Sequence, residues 1–267
     1  MAALVPFFLL AATIGSLWVT RKPRVWGVLL TVSLAAGLFT GLLSLLGLAW
    51  IVFLLYFWLS YRKHDGLTWF LVIVIFSLVL KMRFLPGFSP IAITPKFYLG
   101  MEGSMIGFFP LALIVPLSHT AKEWRLSLQG TLAGIGGIAL MAVLAILTHT
   151  VSFECKLPSE MALRTFSNLF FTSIPEEGFY RGFLQNRLCS YFGNRFWGKA
   201  GALVLTSLIF TAAHIFWTPD LSVLVFVFIA SLLYGGVYLW SGRIEAAIAT
   251  HFFLNLIHQS CFTYHAM

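Results

Sequence analysis

Residues 21–64 read RKPRVWGVLLTVSLAAGLFTGLLSLLGLAWIVFLLYFWLSYRKH. From Trp26 to Tyr61 there is no ionisable side chain except the tyrosines, and basic clusters close both ends: Arg21 to Arg24, then Arg62 to His64. About 20 apolar residues suffice to cross a hydrocarbon core, so the run is too long for one crossing. The same basic flank at both ends asks for two crossings that return to one side. A tight helical hairpin between Gly41 and Gly47 meets both demands. Inside a bilayer the backbone must pair its own polar groups, and the run is continuous instead of alternating at period two. The spans are therefore helices and not barrel strands.

The rest of the chain repeats this pattern. Its 267 residues are 60% hydrophobic and 10% charged, against roughly 25% charged in an average soluble domain. That excludes an ordinary soluble protein. Apolar runs predict spans over 2–19, 26–42, 45–61, 66–81, 104–118, 129–148, 164–187, 199–217, 221–240 and 244–263. The expected fold class is all-α, a polytopic transmembrane helical bundle of about 8–10 spans. The N-terminal stretch lacks the basic start of a secretory signal and is read as a retained first span.

The formal charge of +8 sits in short clusters between apolar runs, which marks topology and not a nucleic-acid surface. Arg21 to Arg24, Arg62 and Lys63, Lys122 to Arg125, Arg187 to Lys199 and Arg243 all fall on one side if the N-terminus lies outside. Two longer connections, 82–103 and 149–163, interrupt the spans. The second divides the chain into an N-terminal set of membrane helices, 1–150, and a C-terminal domain, 151–267. No internal repeat supports an inverted-repeat transporter. Cys155, Cys189 and Cys261 show no metal-ligand spacing.

Charged side chains at mid-membrane cost on the order of 2.5–3.5 kcal/mol each and need a partner or a task. They concentrate in the last hundred residues: Glu176, Glu177 and Arg181 on one span, His214 on the next, and His251, Asn255 and His258 on the last. The first half carries nothing comparable inside its spans. Glu177 and Arg181 are i and i+4, a spacing at which carboxylate and guanidinium can pair. Glu176 then has no such partner on its own helix. A carboxylate tuned by apolar surroundings to take a proton near neutral pH can serve as a general base. His251, Asn255 and His258 share one helical face.

Plainer readings exist for each residue. Ser173 to Glu176 fits the S-x-x-E capping box with an early proline, so the glutamates could start a helix. Arg187 and Arg195 read as interfacial anchors, Phe210 as a packing residue, and His258 and His265 as boundary residues. Gly178, Gly182, Ala212, Ala213, Gly235 and Gly236 would either open a water-filled cavity or let helices approach closely.

Taken together, E-E-x-x-x-R at 176–181, F-x-x-x-H at 210–214 and H-x-x-x-N at 251–255, each on its own span, resemble the CAAX-protease and bacteriocin-processing (CPBP, or Abi) family. That family includes the type II CAAX prenyl endopeptidases, and the resemblance covers about 160–263. It implies an intramembrane glutamic endopeptidase that needs no cofactor. By motif position, Glu176 and His214 would activate a water, and His251 and Asn255 would stabilise the oxyanion. Glu177 and Arg181 would hold the site in shape, with Phe210 supporting it. The implied partners are the lipid bilayer and a membrane-associated peptide or protein, lipidated or not, and the implied setting is the plasma membrane of a prokaryote. Three alternatives fit some of the same residues: a non-catalytic scaffold or immunity protein of the same fold, a His2Glu zinc protease, and a proton-coupled transporter. The absence of an H-E-x-x-H helix weighs against the zinc reading.

Overall fold

A computed structural model describes residues 2–64, 66–94, 97–193, 195–218 and 220–264. His265 lies outside them. In chain order the elements are α1 (Val5–Val19), α2 (Pro23–Phe39), α3 (Leu45–His64), α4 (Leu67–Lys81), β1 (Ile91–Thr94), β2 (Phe97–Leu99), α5 (Glu102–Leu113), α6 (Ala121–Leu147) and β3 (Val151–Phe153). Then come α7 (Met161–Ser167), a π turn (Asn168–Ser173), α8 (Ile174–Phe179), a second π turn (Tyr180–Gln185), α9 (Asn186–Phe192), α10 (Phe196–His214), α11 (Leu221–Ser241), α12 (Ile244–Cys261) and β4 (Phe262–Tyr264). The fold is all-α, and every expected span corresponds to helix. Two short antiparallel ribbons, β1 with β2 and β3 with β4, occur within or against the two long connections. Among the described residues, five helices are long and apolar enough to cross a membrane: Ala2–Val19, α3, α6, α10 and α11. The apolar helices α2, α4 and α5 are shorter.

The chain forms two compact units. The first comprises Met1–Val115 with Phe170–Phe179. Its hairpin between α2 and α3 turns where expected: Gly41 takes φ +73°, a left-handed conformation that glycine adopts without steric cost. The connection 82–101 folds back on this turn. The Ser44 amide donates to the Gly87 carbonyl at 2.9 Å, and a Cβ on Gly47 would lie 2.3 Å from that same oxygen. The centre of the unit is α5, where Met105, Ile106, Phe108, Phe109 and Leu111 are all buried. It packs against α1, α3, α4 and α8. The helix ends at Leu113 instead of continuing to 118, because Pro116 has no N–H and disfavours helical geometry at Val115. Arg21 donates to the carbonyls of Leu111 and Val115 and so satisfies this helix end.

The second unit comprises Pro116–Leu169 with Tyr180–Met267. Here α6 starts at Ala121, well before the expected 129, because Thr120 and Glu123 form a reciprocal capping box. One face of α6 carries Gly130, Gly134 and Gly137. A Cβ on them would meet Ala246, Thr250 and Leu233 respectively, so α6 lies close against α11 and α12. Helix α10 packs on α11 and α9.

Candidate active site

The Glu-Glu stretch lies deep inside a helical run and not at its start. The run opens after Glu160, whose carboxylate accepts from Arg164 at 2.7 Å and is held below the usual carboxylate range by that guanidinium. Helical structure then continues from Met161 to Phe192. The capping-box reading of Ser173 and Glu176 is thereby corrected, since Ser173 occupies a π turn. Pro175 supplies the reason for that turn. It has no N–H for the carbonyl of Phe171 and its ring crowds that oxygen, and a widened turn just before it relieves both problems. π turns are rare and recur at functional sites.

In the first unit, Glu176 and Glu177 are both buried, at 4% and 0% exposure. The segment bearing them lies hard against α5. A Cβ on Gly107 would fall 1.9 Å from the Pro175 carbonyl oxygen, and one on Gly178 would fall 2.9 Å from the Gly107 carbonyl oxygen. This contact fixes the backbone next to Glu176. A partner comes from α4: the Lys81 ammonium donates to Glu176 Oε1 at 2.7 Å. Nearby in sequence, Arg83 Nε donates to Glu102 Oε1 at 2.6 Å, and Glu102 is also buried. Glu102 falls just before the expected span 104–118 but within α5, so the first half of the chain also holds a buried carboxylate.

In the second unit, residues of all three motifs meet around one ring. Phe210 stacks on the imidazole of His214 at 4.5 Å between centroids and meets His251 edge-on at 6.1 Å. The Arg181 guanidinium lies 4.9 Å from the Phe210 centroid and 5.3 Å from that of Tyr234. Arg181 is fully buried and donates through Nη2 to the carbonyl and the hydroxyl of Ser231, at 2.9 and 2.8 Å. Tyr234 stacks on His251 at 4.5 Å with the rings 12° apart. His214, half-buried at the end of α10, bonds through Nδ1 to the Phe210 carbonyl at 2.7 Å. A carbonyl only accepts, so Nδ1 carries the proton and neutral His214 presents Nε2 as its acceptor nitrogen.

His251 and Asn255 are separated by one turn of the regular helix α12, as expected. Asn255 Nδ2 donates to Asn168 Oδ1 at 3.0 Å, and Asn168 Nδ2 donates to the carbonyl of Phe252 at 3.0 Å. Asn168 thereby ties the first π turn to α12. The amide nitrogen of Asn255 has a second proton beyond the one given to Asn168. Of the small residues, Gly178 and Gly235 serve close packing, against Leu111 and Leu203, while a Cβ on Gly236 would meet nothing from another part of the chain within 4 Å. Among the described residues, no group of three or more His, Cys, Asp or Glu side chains is placed to hold a metal ion.

Residues 158–257 match the family model described as Type II CAAX prenyl endopeptidase Rce1-like. This segment belongs to that family. The match spans all seven motif residues, Glu176, Glu177, Arg181, Phe210, His214, His251 and Asn255, so the family that the motifs resemble is the family found. Comparison with curated proteins and with solved structures gives no significant match. The matched segment is similar to CAAX-type proteases, and with its apolar helices the chain is an integral, multi-pass membrane protein.

Sequence reasoning passes over Lys81, Asn168, Ser231 and Tyr234. For Lys81 a signal is present. Under the topology favoured by the other clusters, Lys81 and Arg83 fall on the opposite side, against the positive-inside trend. The other three are residues of ordinary type whose roles depend on which helices meet, and no spacing rule marks them.

Proposed function

We propose that this protein is an intramembrane endopeptidase of the glutamic type, acting on a membrane-associated peptide or protein. The observation that carries the proposal is the convergence of Arg181, His214 and His251, one from each motif, on the ring of Phe210. Glu176 and His214 act on one water. The water oxygen bonds to the scissile carbonyl carbon as its proton passes to the Glu176 carboxylate, with His214 Nε2 accepting a hydrogen bond that orients it. The negative charge on the former carbonyl oxygen is met by N–H groups of His251 and Asn255, and each such donor is worth roughly 3 kcal/mol where bulk water is excluded. Breakdown cleaves the C–N bond, and the proton held by Glu176 goes to the leaving amine. Glu177, Arg181 and Phe210 hold these groups in place.

The motifs all fall in 151–267, which we take as the protease domain; residues 1–150 add membrane helices. Within the CAAX-type class, the substrate carries its scissile bond near the membrane and is lipidated or simply apolar. The setting is the plasma membrane of a prokaryote. The test compares peptide termini by mass spectrometry in membranes expressing the native protein or Glu176→Gln at matched levels. Purified protein is assayed alongside with internally quenched CAAX peptides, farnesylated and unmodified. New termini and peptide cleavage that require Glu176 support the proposal. Identical cleavage by the Glu176→Gln variant overturns it, because that substitution removes little more than the ionisable group.

A further inference from the structure

We propose that Lys81 is a positioning residue for Glu176, so that a side chain from outside the family-matched segment serves the proposed general base. The inference rests on the protease reading and extends it beyond the segment that matches the family model, since Lys81 lies in the first unit and outside 158–257.

A lysine at the end of an apolar helix normally extends its ammonium toward the membrane surface. Lys81 does not. Its side chain is only 27% exposed, and its Nζ lies 2.7 Å from Oε1 of a glutamate 95 residues away whose side chain is 5% exposed. The first turn of α5 runs beside it, since a Cβ on Gly103 would lie 3.7 Å from Nζ. Arg83 Nε donates to Glu102, the buried carboxylate of that turn, while Lys81 donates to Glu176 on α8. Glu177 adjoins on α8, and Arg21 is directed to the end of α5.

The lysine affects the reacting carboxylate in two ways. An ammonium at hydrogen-bond distance balances the charge of a group that low-dielectric surroundings would otherwise penalise. It also restrains the rotation of the carboxylate by holding Oε1. Lys81 need touch neither substrate nor water. Its loss should lower kcat and spare KM, because a misaligned base affects the transition state more than substrate binding.

The test uses the full chain in nanodiscs: native, Lys81→Met, Lys81→Arg, Lys81→Gln and Glu176→Gln. Turnover of the farnesylated quenched peptide is read together with the infrared carboxylate band that Glu176→Gln removes. Lys81→Met should cut kcat by about 10- to 100-fold with KM nearly unchanged and should move the Glu176 band. Lys81→Arg should restore most of both. If Lys81→Met accumulates poorly, Lys81→Gln, which keeps a donor without the charge, takes its place in the comparison. Native kcat and an unmoved band in the uncharged variant overturn the role of Lys81, while loss of cleavage in Glu176→Gln keeps the protease reading intact. If Glu176→Gln still cleaves, the protease reading fails by itself; the band in the Lys81 variants then decides whether the lysine positions Glu176.

Discussion

Phe210 holds His214 twice. Its ring stacks on the imidazole at 4.5 Å with an interplanar angle of 30°, and its carbonyl accepts from Nδ1 at 2.7 Å. The carbonyl bond selects the tautomer and the stacked ring sets the tilt. Phe210→Ala removes only the second, so it isolates the value of orientation. The expected result is a loss of about 10- to 100-fold in kcat on a CAAX peptide with little change in KM, and a smaller loss in Phe210→Leu. Unaltered kcat in Phe210→Ala would mean that the ring is packing alone.

Asn168 bridges Asn255 and the carbonyl of Phe252. If Asn255 donates to the developing oxyanion, its amide must be aimed in advance. Asn168→Ala should therefore copy much of the kcat loss of Asn255→Ala, up to about 10²-fold. Asn168→Asp keeps an acceptor for Asn255 and should fall between Asn168→Ala and the native protein. Because the two asparagines act through one contact, the double variant should lose far less than the sum of the singles. Additive losses in that cycle would show that Asn168 does not act through Asn255.

Much of the fold is legible in the chain because a bilayer punishes ambiguity. Apolar runs between RKPR, YRKH and later clusters locate the long helices, and H-x-x-x-N on the regular helix α12 keeps its one-face geometry. The features that escape depend on backbone events or on distant partners. The π turn before Pro175 rotates the residues beyond it, so counting i, i+4 from sequence does not fix where their side chains point. The S-x-x-E pattern suggests a capping box at Ser173, which lies inside a helix, whereas a capping box forms at Thr120 and Glu123. The reason is physical: S-x-x-E and T-x-x-E become caps only where the preceding residue leaves the helix. Lys81 is hidden because a lysine ending an apolar run looks like an anchor until its partner is seen.

The approach of α5 to α8 predicts a steric test. At Gly107 a Cβ would lie 1.9 Å from the Pro175 carbonyl oxygen and 2.3 Å from its Cα. Backbone atoms cannot rotate aside, so Gly107→Ala must push the two helices apart next to Glu176. Overpacking of this kind costs about 1–3 kcal/mol. Gly136→Ala is the matched control, since nothing lies within 4 Å of a Cβ there and helix propensity favours alanine by up to about 1 kcal/mol. Thermal unfolding in mild detergent should fall for the first and hold or rise for the second. Equal melting of both variants would contradict the close contact.

Arg181 offers the most direct test of how the second unit holds its charge. The guanidinium is fully buried, and Ser231 gives it both a carbonyl and a hydroxyl acceptor. Ser231→Ala removes the hydroxyl alone, leaving the carbonyl and the rings of Phe210 and Tyr234. A hydrogen bond to a buried charged group contributes about 1.5–3 kcal/mol, so Ser231→Ala should lower unfolding stability by about that amount. Ser190→Ala deletes an exposed hydroxyl bonded to its own helix at Asn186, and should change stability by less than about 0.5 kcal/mol. The two losses separate because the cost arises from leaving a buried cation short of an acceptor, not from removing a serine. If Arg181 also orients Phe210 and through it His214, Ser231→Ala will lower kcat in the same preparation, whereas Ser190→Ala will not. A destabilised Ser231→Ala with native kcat would assign Arg181 to the fold and not to the chemistry.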